Sequence, residues 1–383
     1  KRLSTSSDSS WNNLPLEEKI GQMIMIRMSG KFYNSSNYAI QDIQYLIDNY
    51  KVGGLIMFYG NIHGASHNIN LFQKWSKTPL LIASDYERGI GQWMSDGGTL
   101  FPSNMAIAAT GDPVNAYNQG TIIAKEAKAM GVHLVLAPVL DINNNPKNPI
   151  INLRSYGDNP DIVARFGVQF IKGIQDNDLF ACAKHFPGHG NTDKDSHSSL
   201  PIINVDKKTI QSNELVPFKE AINANVSSIM IGHLVVPALD KTNVPATHSY
   251  EITTQLLKQN LGFKGLVVTD GLEMGALSTN ISNEESIIRS IEAGADILLL
   301  PIDVVNAINS IKEAIDNGRL TEDRINHSVE KIWKMKKKMG LFVDKGFPDL
   351  DEIQDIVGIK AHKSLANKIA KESITLVKDE KKS

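Results

Sequence analysis

The 383-residue chain has one cysteine, Cys182, which excludes an internal disulfide and any zinc cluster built on thiolates. Cys182 sits in the apolar run 179–183, where a buried core thiol is expected rather than a reactive one. No apolar stretch is long enough to span a bilayer, so no membrane span is expected. A charge excess is also missing: 40 basic against 42 acidic residues leave a formal net charge of −2, with no electrostatic reason to expect nucleic acid as a partner. An initiating methionine and a signal peptide are lacking too, and the first residues are rich in serine. Residues 1–13 are read as a trimmed, flexible N-terminus, which favours a periplasmic or secreted location over a cytoplasmic one.

What is present is a core. The apolar share, 42%, is ordinary for a large globular protein. A theme repeats along the chain: a short apolar run, a polar turn, then an amphipathic helical pattern. Eight such runs occur, at 22–27, 54–58, 80–84, 133–137, 180–183, 228–231, 266–269 and 297–300. Near-continuous hydrophobicity suits strands buried on both faces of a parallel sheet. Helical patterns lie between most of them, for example at 113–130, 159–176, 206–224 and 303–317. Eight such alternations predict a closed α/β barrel of the (β/α)8 TIM type over residues 14–345. Residues 346–383 form a C-terminal extension. Within it 351–373 read as helix, and 374–377 as a strand that either packs on the barrel or begins a second sheet.

A barrel places its reactive groups at the carboxyl ends of its strands. Those positions hold Asp85, Asp141, Lys184, His185, His233 and Asp270. The densest stretch is Lys184-His-Phe-Pro-Gly-His-Gly-Asn-Thr-Asp-Lys-Asp-Ser-His197, read as a loop over the mouth after the fifth strand. Two chemistries fit it. His185, His189, Asp193, Asp195 and His197 could bind a metal, but Lys184 would put a cation beside it and the spacing matches no common ligand motif. Alternatively, Asp195 orients His197, and the histidine gives a proton in one step and takes one in the next. Lys184 and His185 would then donate to substrate hydroxyls. A loop merely tied down by polar groups explains this gathering of titratable groups less well. Asp270 follows the seventh run, with Gly271 beside it. As a carboxylate on a rigid strand end it suits a nucleophile, and it equally suits a helix cap.

The stretch Lys-His-Phe-Pro-Gly-His-Gly-x-Thr-x-x-Asp-Ser-His resembles the signature of family 3 glycoside hydrolases of the β-N-acetylglucosaminidase type. Ile20-Gly-Gln-Met23, Gly53-Gly-Leu-Ile56, Phe101-Pro-Ser-Asn-Met105, Arg154-Ser-Tyr-Gly157 and Val268-Thr-Asp270 agree with it, so the resemblance covers roughly residues 14–340. It implies that Asp270 is the covalent nucleophile and that Asp195 and His197 are the acid/base pair. It also implies sugar-hydroxyl contacts from Asp85, Arg154, Lys184 and His185. The implied activity is exo-acting, retaining removal of terminal β-linked N-acetylglucosamine from cell-wall fragments or chitooligosaccharides, with no cofactor and no metal. A phosphorylase with the same residues and a non-catalytic sugar-binding barrel are the alternatives. Glu87 and Glu273, the other acids in reach, are expected to make structural hydrogen bonds.

One segment departs from the pattern. Single-domain members commonly read Asp-Gln-Glu-Gly-Gly-Arg-x-x-Arg after the third strand. Here it is Asp85-Tyr-Glu-Arg-Gly-Ile-Gly-Gln-Trp93, with Trp93 in the place of the last arginine. The segment 369–377 resembles the join to a second α/β domain in longer members.

Overall fold

The computed structural model describes residues 10–196, 199–277 and 281–378. Eight strands run through it: β1 (Ile24–Gly30), β2 (Gly54–Gly60), β3 (Leu81–Ser84), β4 (Leu134–Val135), β5 (Phe180–Phe186), β6 (Ser228–Ile231), β7 (Leu266–Thr269) and β8 (Leu298–Leu299). Every pairing is parallel, from β7 through β6, β5, β4, β3, β2 and β1 to β8. A parallel bridge between Val268 and Ile297 joins β8 back to β7 and closes the ring. This is the (β/α)8 barrel that the eight apolar runs predict.

The strands are apolar throughout because both faces are covered, by the barrel interior on one side and helices on the other. All four residues of β3, β6 and β7 are buried. Helix starts are set by local chemistry. Asn61, Asn159 and Asp303 each stand just before a helix, and their side chains accept from amides of its first turn. The helices Val114–Ala129, Pro160–Gln175 and Val304–Asp316 fall where the periodicity places them.

Three expectations are corrected. The stretch 206–224 is two helices, Lys207–Ser212 and Leu215–Asn223. Pro217 is the reason: its ring would clash with the Asn213 carbonyl in a continuous helix, but it is accommodated in the first turn of a new one. Lys184 and His185 lie inside β5 and are buried, so the mouth loop begins only after Phe186. Among its described residues the C-terminal extension carries an α-helix only at Lys360–Glu372. It starts after Gly358, whose φ of +66° and 2.8 Å approach of a would-be Cβ to the Gly98 amide both require glycine. Residues 374–377 form no strand and do not pack on the barrel: Ile374, Leu376 and Val377 are 80%, 76% and 93% exposed.

The extension is nevertheless fastened to the barrel. Ile353, Val357, Ala366 and Ile369 are buried against it. Buried Glu126 accepts from the Gly358 amide at 2.9 Å, from His362 Nδ1 at 2.7 Å and from the Thr99 hydroxyl at 2.6 Å.

Candidate active site

At the carboxyl ends of the strands a cavity of about 460 Å3 opens, within the range of small-molecule sites. Its inner wall is a charged quartet. The Lys184 ammonium lies 2.5 Å from Asp85 Oδ1 and 2.8 Å from Glu87 Oε1. Arg154 grips Glu87 with both arms of its fork, Nη2 to Oε1 at 2.8 Å and Nε to Oε2 at 3.0 Å. Burial pushes the Glu87 carboxyl up, but Arg154 and Lys184 overcome it and hold the group far below the usual carboxylate range. Burial likewise works against the Lys184 cation, and Asp85 and Glu87 outweigh it, so its pKa is raised. Glu87, Arg154 and Lys184 thus hold one another charged, and together with Asp85 they form a tight array that lines the cavity.

A second array stands beside it. Asp141, after β4, is fully buried, and its Oδ2 lies 2.7 Å from His185 Nδ1 while its Oδ1 accepts from the His189 amide at 2.6 Å. The His185 ring is therefore oriented through Nδ1, and its Nε2 has no hydrogen-bond partner among the described residues. His189 reaches Ser196 Oγ with Nε2 at 2.9 Å. Burial lowers its pKa to about 4, so the ring is neutral near neutrality. The loop after β5 is pressed onto the β4 side: a Cβ on Gly190 would lie 1.6 Å from the Ile142 carbonyl oxygen, and Asn148 Nδ2 donates to the His189 and Gly190 carbonyls.

Asp270 ends β7. Its amide donates to the Ile231 carbonyl at 3.0 Å, and its Oδ1 accepts from the Gly271 amide at 2.8 Å. Burial would raise its pKa. His185, His233, the Gly271 amide and Lys184 more than offset this, and the carboxyl is held below its ordinary value. An ionised carboxylate therefore lines the cavity on a rigid strand end.

The structure thus brings Asp85, Arg154, Lys184, His185 and Asp270 to one cavity. Asp195 lies half-buried on the loop beside Ser196, which also lines it. His197 lies outside the described residues. Glu87 is locked by two cations, and Glu273 pairs with Arg27 at the rim. The strand-end rule found Asp141 but gave it no role. Its partners His185 and His189 lie 44 and 48 residues away, and nothing local in the sequence signals the pairing. Among the described residues no group of three His, Cys, Asp or Glu side chains is placed to hold a metal ion. Among them also, no helix is long and apolar enough to cross a membrane.

A closed parallel barrel with an ionised strand-end carboxylate facing paired charges is an arrangement suited to glycoside hydrolases. The chain is a member of glycosyl hydrolase family 3: the model of that family's N-terminal domain matches residues 15–335. It is 31% identical to beta-hexosaminidase A of Pseudoalteromonas piscicida, over 98% of this chain and 70% of that protein. It is also 31% identical to a beta-N-acetylglucosaminidase/beta-glucosidase of Cellulomonas fimi, over 95% of this chain and 64% of that protein. The chain thus spans about two thirds of the length of these relatives. Among solved structures, a family 3 beta-N-acetylglucosaminidase from a Paenibacillus strain superposes with a TM-score of 0.89 at 35% identity, over 96% of this chain and 70% of that one. A beta-glucoside phosphorylase superposes with a TM-score of 0.90 at 28% identity, over 97% of this chain and 67% of that one.

Proposed function

We propose that this glycoside hydrolase is an exo-acting, retaining β-N-acetylglucosaminidase that takes terminal β-linked N-acetylglucosamine from cell-wall fragments or chitooligosaccharides. The observation that carries the proposal is the Asp270 carboxylate, kept ionised at the cavity by His185, His233 and Lys184 despite its burial. In the first step an Asp270 oxygen attacks the anomeric carbon. The glycosidic bond breaks, and its oxygen takes a proton from His197 and leaves. In the second step His197 takes a proton from water, the water oxygen attacks the same carbon, and Asp270 is released. Asp195 orients the His197 ring and balances its cation. Asp85, Arg154, Lys184 and His185 hold the terminal sugar: the charged edges of the quartet meet paired hydroxyls, and His185 offers Nε2.

The names of the relatives support N-acetylglucosamine as the terminal sugar. The close superposition on a phosphorylase supports a second reading, in which phosphate replaces water in the second step. One assay separates them. The enzyme is given p-nitrophenyl N-acetyl-β-glucosaminide and the matching β-glucoside, each with and without inorganic phosphate. Preference for the N-acetyl substrate with free sugar as product is expected. Sugar 1-phosphate would replace hydrolysis by phosphorolysis, and preference for the glucoside would overturn the assigned sugar. A slow fluorinated substrate should leave the sugar attached to Asp270, read by mass spectrometry, and attachment elsewhere would end the nucleophile assignment.

A further inference from the structure

The outer half of the cavity is unlike the inner half. Inside, charged groups are buried, with Lys184 only 2% exposed. Towards solvent the wall turns aromatic, with Phe58 and Trp93 both lining it and both half-buried. The two rings are not equivalent. The face of Phe58 is already covered, because the Arg27 guanidinium sits over it 4.3 Å from the ring centre and is itself paired with Glu273. Among the described residues no cation lies over the Trp93 ring.

Trp93 is also held on several sides. Its indole N–H donates to the Asp85 carbonyl at 2.7 Å. Tyr59 meets it edge-to-face, with ring centres 4.5 Å apart and planes at 90°, and Phe58 stands nearly perpendicular to it at 5.9 Å. A ring fixed in this way loses little freedom when a ligand lies on it. Tyr59 is 63% exposed, so it buttresses Trp93 from the solvent side. The bond to Asp85 sets the indole one step outward from the residue that the proposed function assigns to the terminal sugar.

We infer that Trp93 is the platform of a leaving-group subsite, on which the ring next to the scissile bond, a pyranose or an aryl group, stacks. The apolar C–H face of a pyranose and the π-face of an aryl group both suit an aromatic surface. The inference rests on the exo-glycosidase reading, with Asp85 at the terminal sugar. It makes Trp93 a specificity-determining residue, not a catalytic one.

The test compares two substrates with the same terminal sugar, a β-1,4-linked disaccharide and the methyl β-glycoside, whose leaving group has no ring. In Trp93→Ala the ratio of kcat/KM values, disaccharide over methyl glycoside, should fall about tenfold. Trp93→Leu, which fills the space without an aromatic face, carries the same expectation should the alanine variant fail to fold. Trp93→Phe keeps a ring but loses the bond to Asp85, and should hold the ratio within about threefold. An unchanged ratio with both rates reduced would overturn the inference and leave Trp93 as a mere support of Asp85. So would a ratio that falls as far in Trp93→Phe as in Trp93→Ala. The ratio is read separately in the N-acetylglucosaminide and glucoside series. A wrong terminal sugar would therefore show as low rates in one whole series, not as a lost ratio.

Discussion

The two ends of the barrel both bury charge, yet they are built for different ends. At the amino-terminal floor Asp296 is fully buried and fully engaged. Its oxygens accept from the Val267 amide at 3.0 Å, the Ser328 hydroxyl at 2.7 Å and the Lys331 ammonium at 3.0 Å, with Lys258 and Arg324 just beyond. At the mouth Asp270 takes one hydrogen bond among the described residues, from its neighbour's amide, and otherwise faces the cavity. Both carboxyls are held below the ordinary range. A perturbed carboxylate therefore does not by itself mark a reactive one. What distinguishes Asp270 is hydrogen-bonding capacity left open beside a space that a substrate can enter.

That contrast can be broken by substitution. Asp270→Ala should lower kcat by about 10⁴-fold or more while leaving the melting temperature within a few degrees, since little packing depends on it. A comparable loss of stability would make the mouth carboxylate a structural one. Asp296→Ala should do the reverse. It strands buried cations and should cost about 4 kcal/mol in chemical denaturation, with kcat per folded molecule unchanged. In the intact protein the folded-state pKa of Asp296 is lowered to about 2, so its stabilisation is present above the ordinary value of 3.8 and is lost as pH falls through about 2.

A smaller effect is expected at His197. His197→Ala should slow substrates with poor leaving groups about 100-fold, and aryl glycosides that leave without a proton much less. Equal slowing of both substrate types would make His197 a binding residue. The smallest effect concerns the floor again. Lys336 is fully buried with Gln22 Oε1 at 2.7 Å, and burial lowers its pKa to about 7. The unfolded chain therefore holds the proton more tightly than the fold does, and stability should rise as pH climbs from about 7 towards the ordinary lysine value of 10.5. Lys336→Met should flatten that rise and stabilise the protein on the order of 2 kcal/mol at neutral pH. A destabilised variant would show that the buried ammonium holds the floor together.

The sequence made the barrel legible because its signal is local. Runs such as 228–231 and 266–269 coincide with β6 and β7 residue for residue, since a strand covered on both faces has to be apolar along its whole length. The ends of β3 and β7 were legible for the same reason, and with them the positions of Asp85 and Asp270. The end of β5 was not, because Lys184 and His185 are charged or polar and yet continue the strand. Their burial is compensated by partners elsewhere in the chain. Of the two outcomes open for 374–377, packing on the barrel is excluded by exposure: apolar, β-branched residues need a neighbouring strand, and the described chain offers them none.

By itself, then, the sequence determined the number of βα units, the types of titratable group at the mouth and the loop that carries Asp195. Tertiary structure alone decided which charges are already engaged. Glu87 meets Arg154 across 67 residues, and Lys184 meets Asp85 across 99. Asp141 aligns His185 and His189, and Trp93 stands against Tyr59 at the cavity wall. Periodicity reports only whether a residue faces inward. Closing eight strands into a ring sets which inward-facing groups from distant segments come within hydrogen-bonding distance, and so which of them stay open to a substrate.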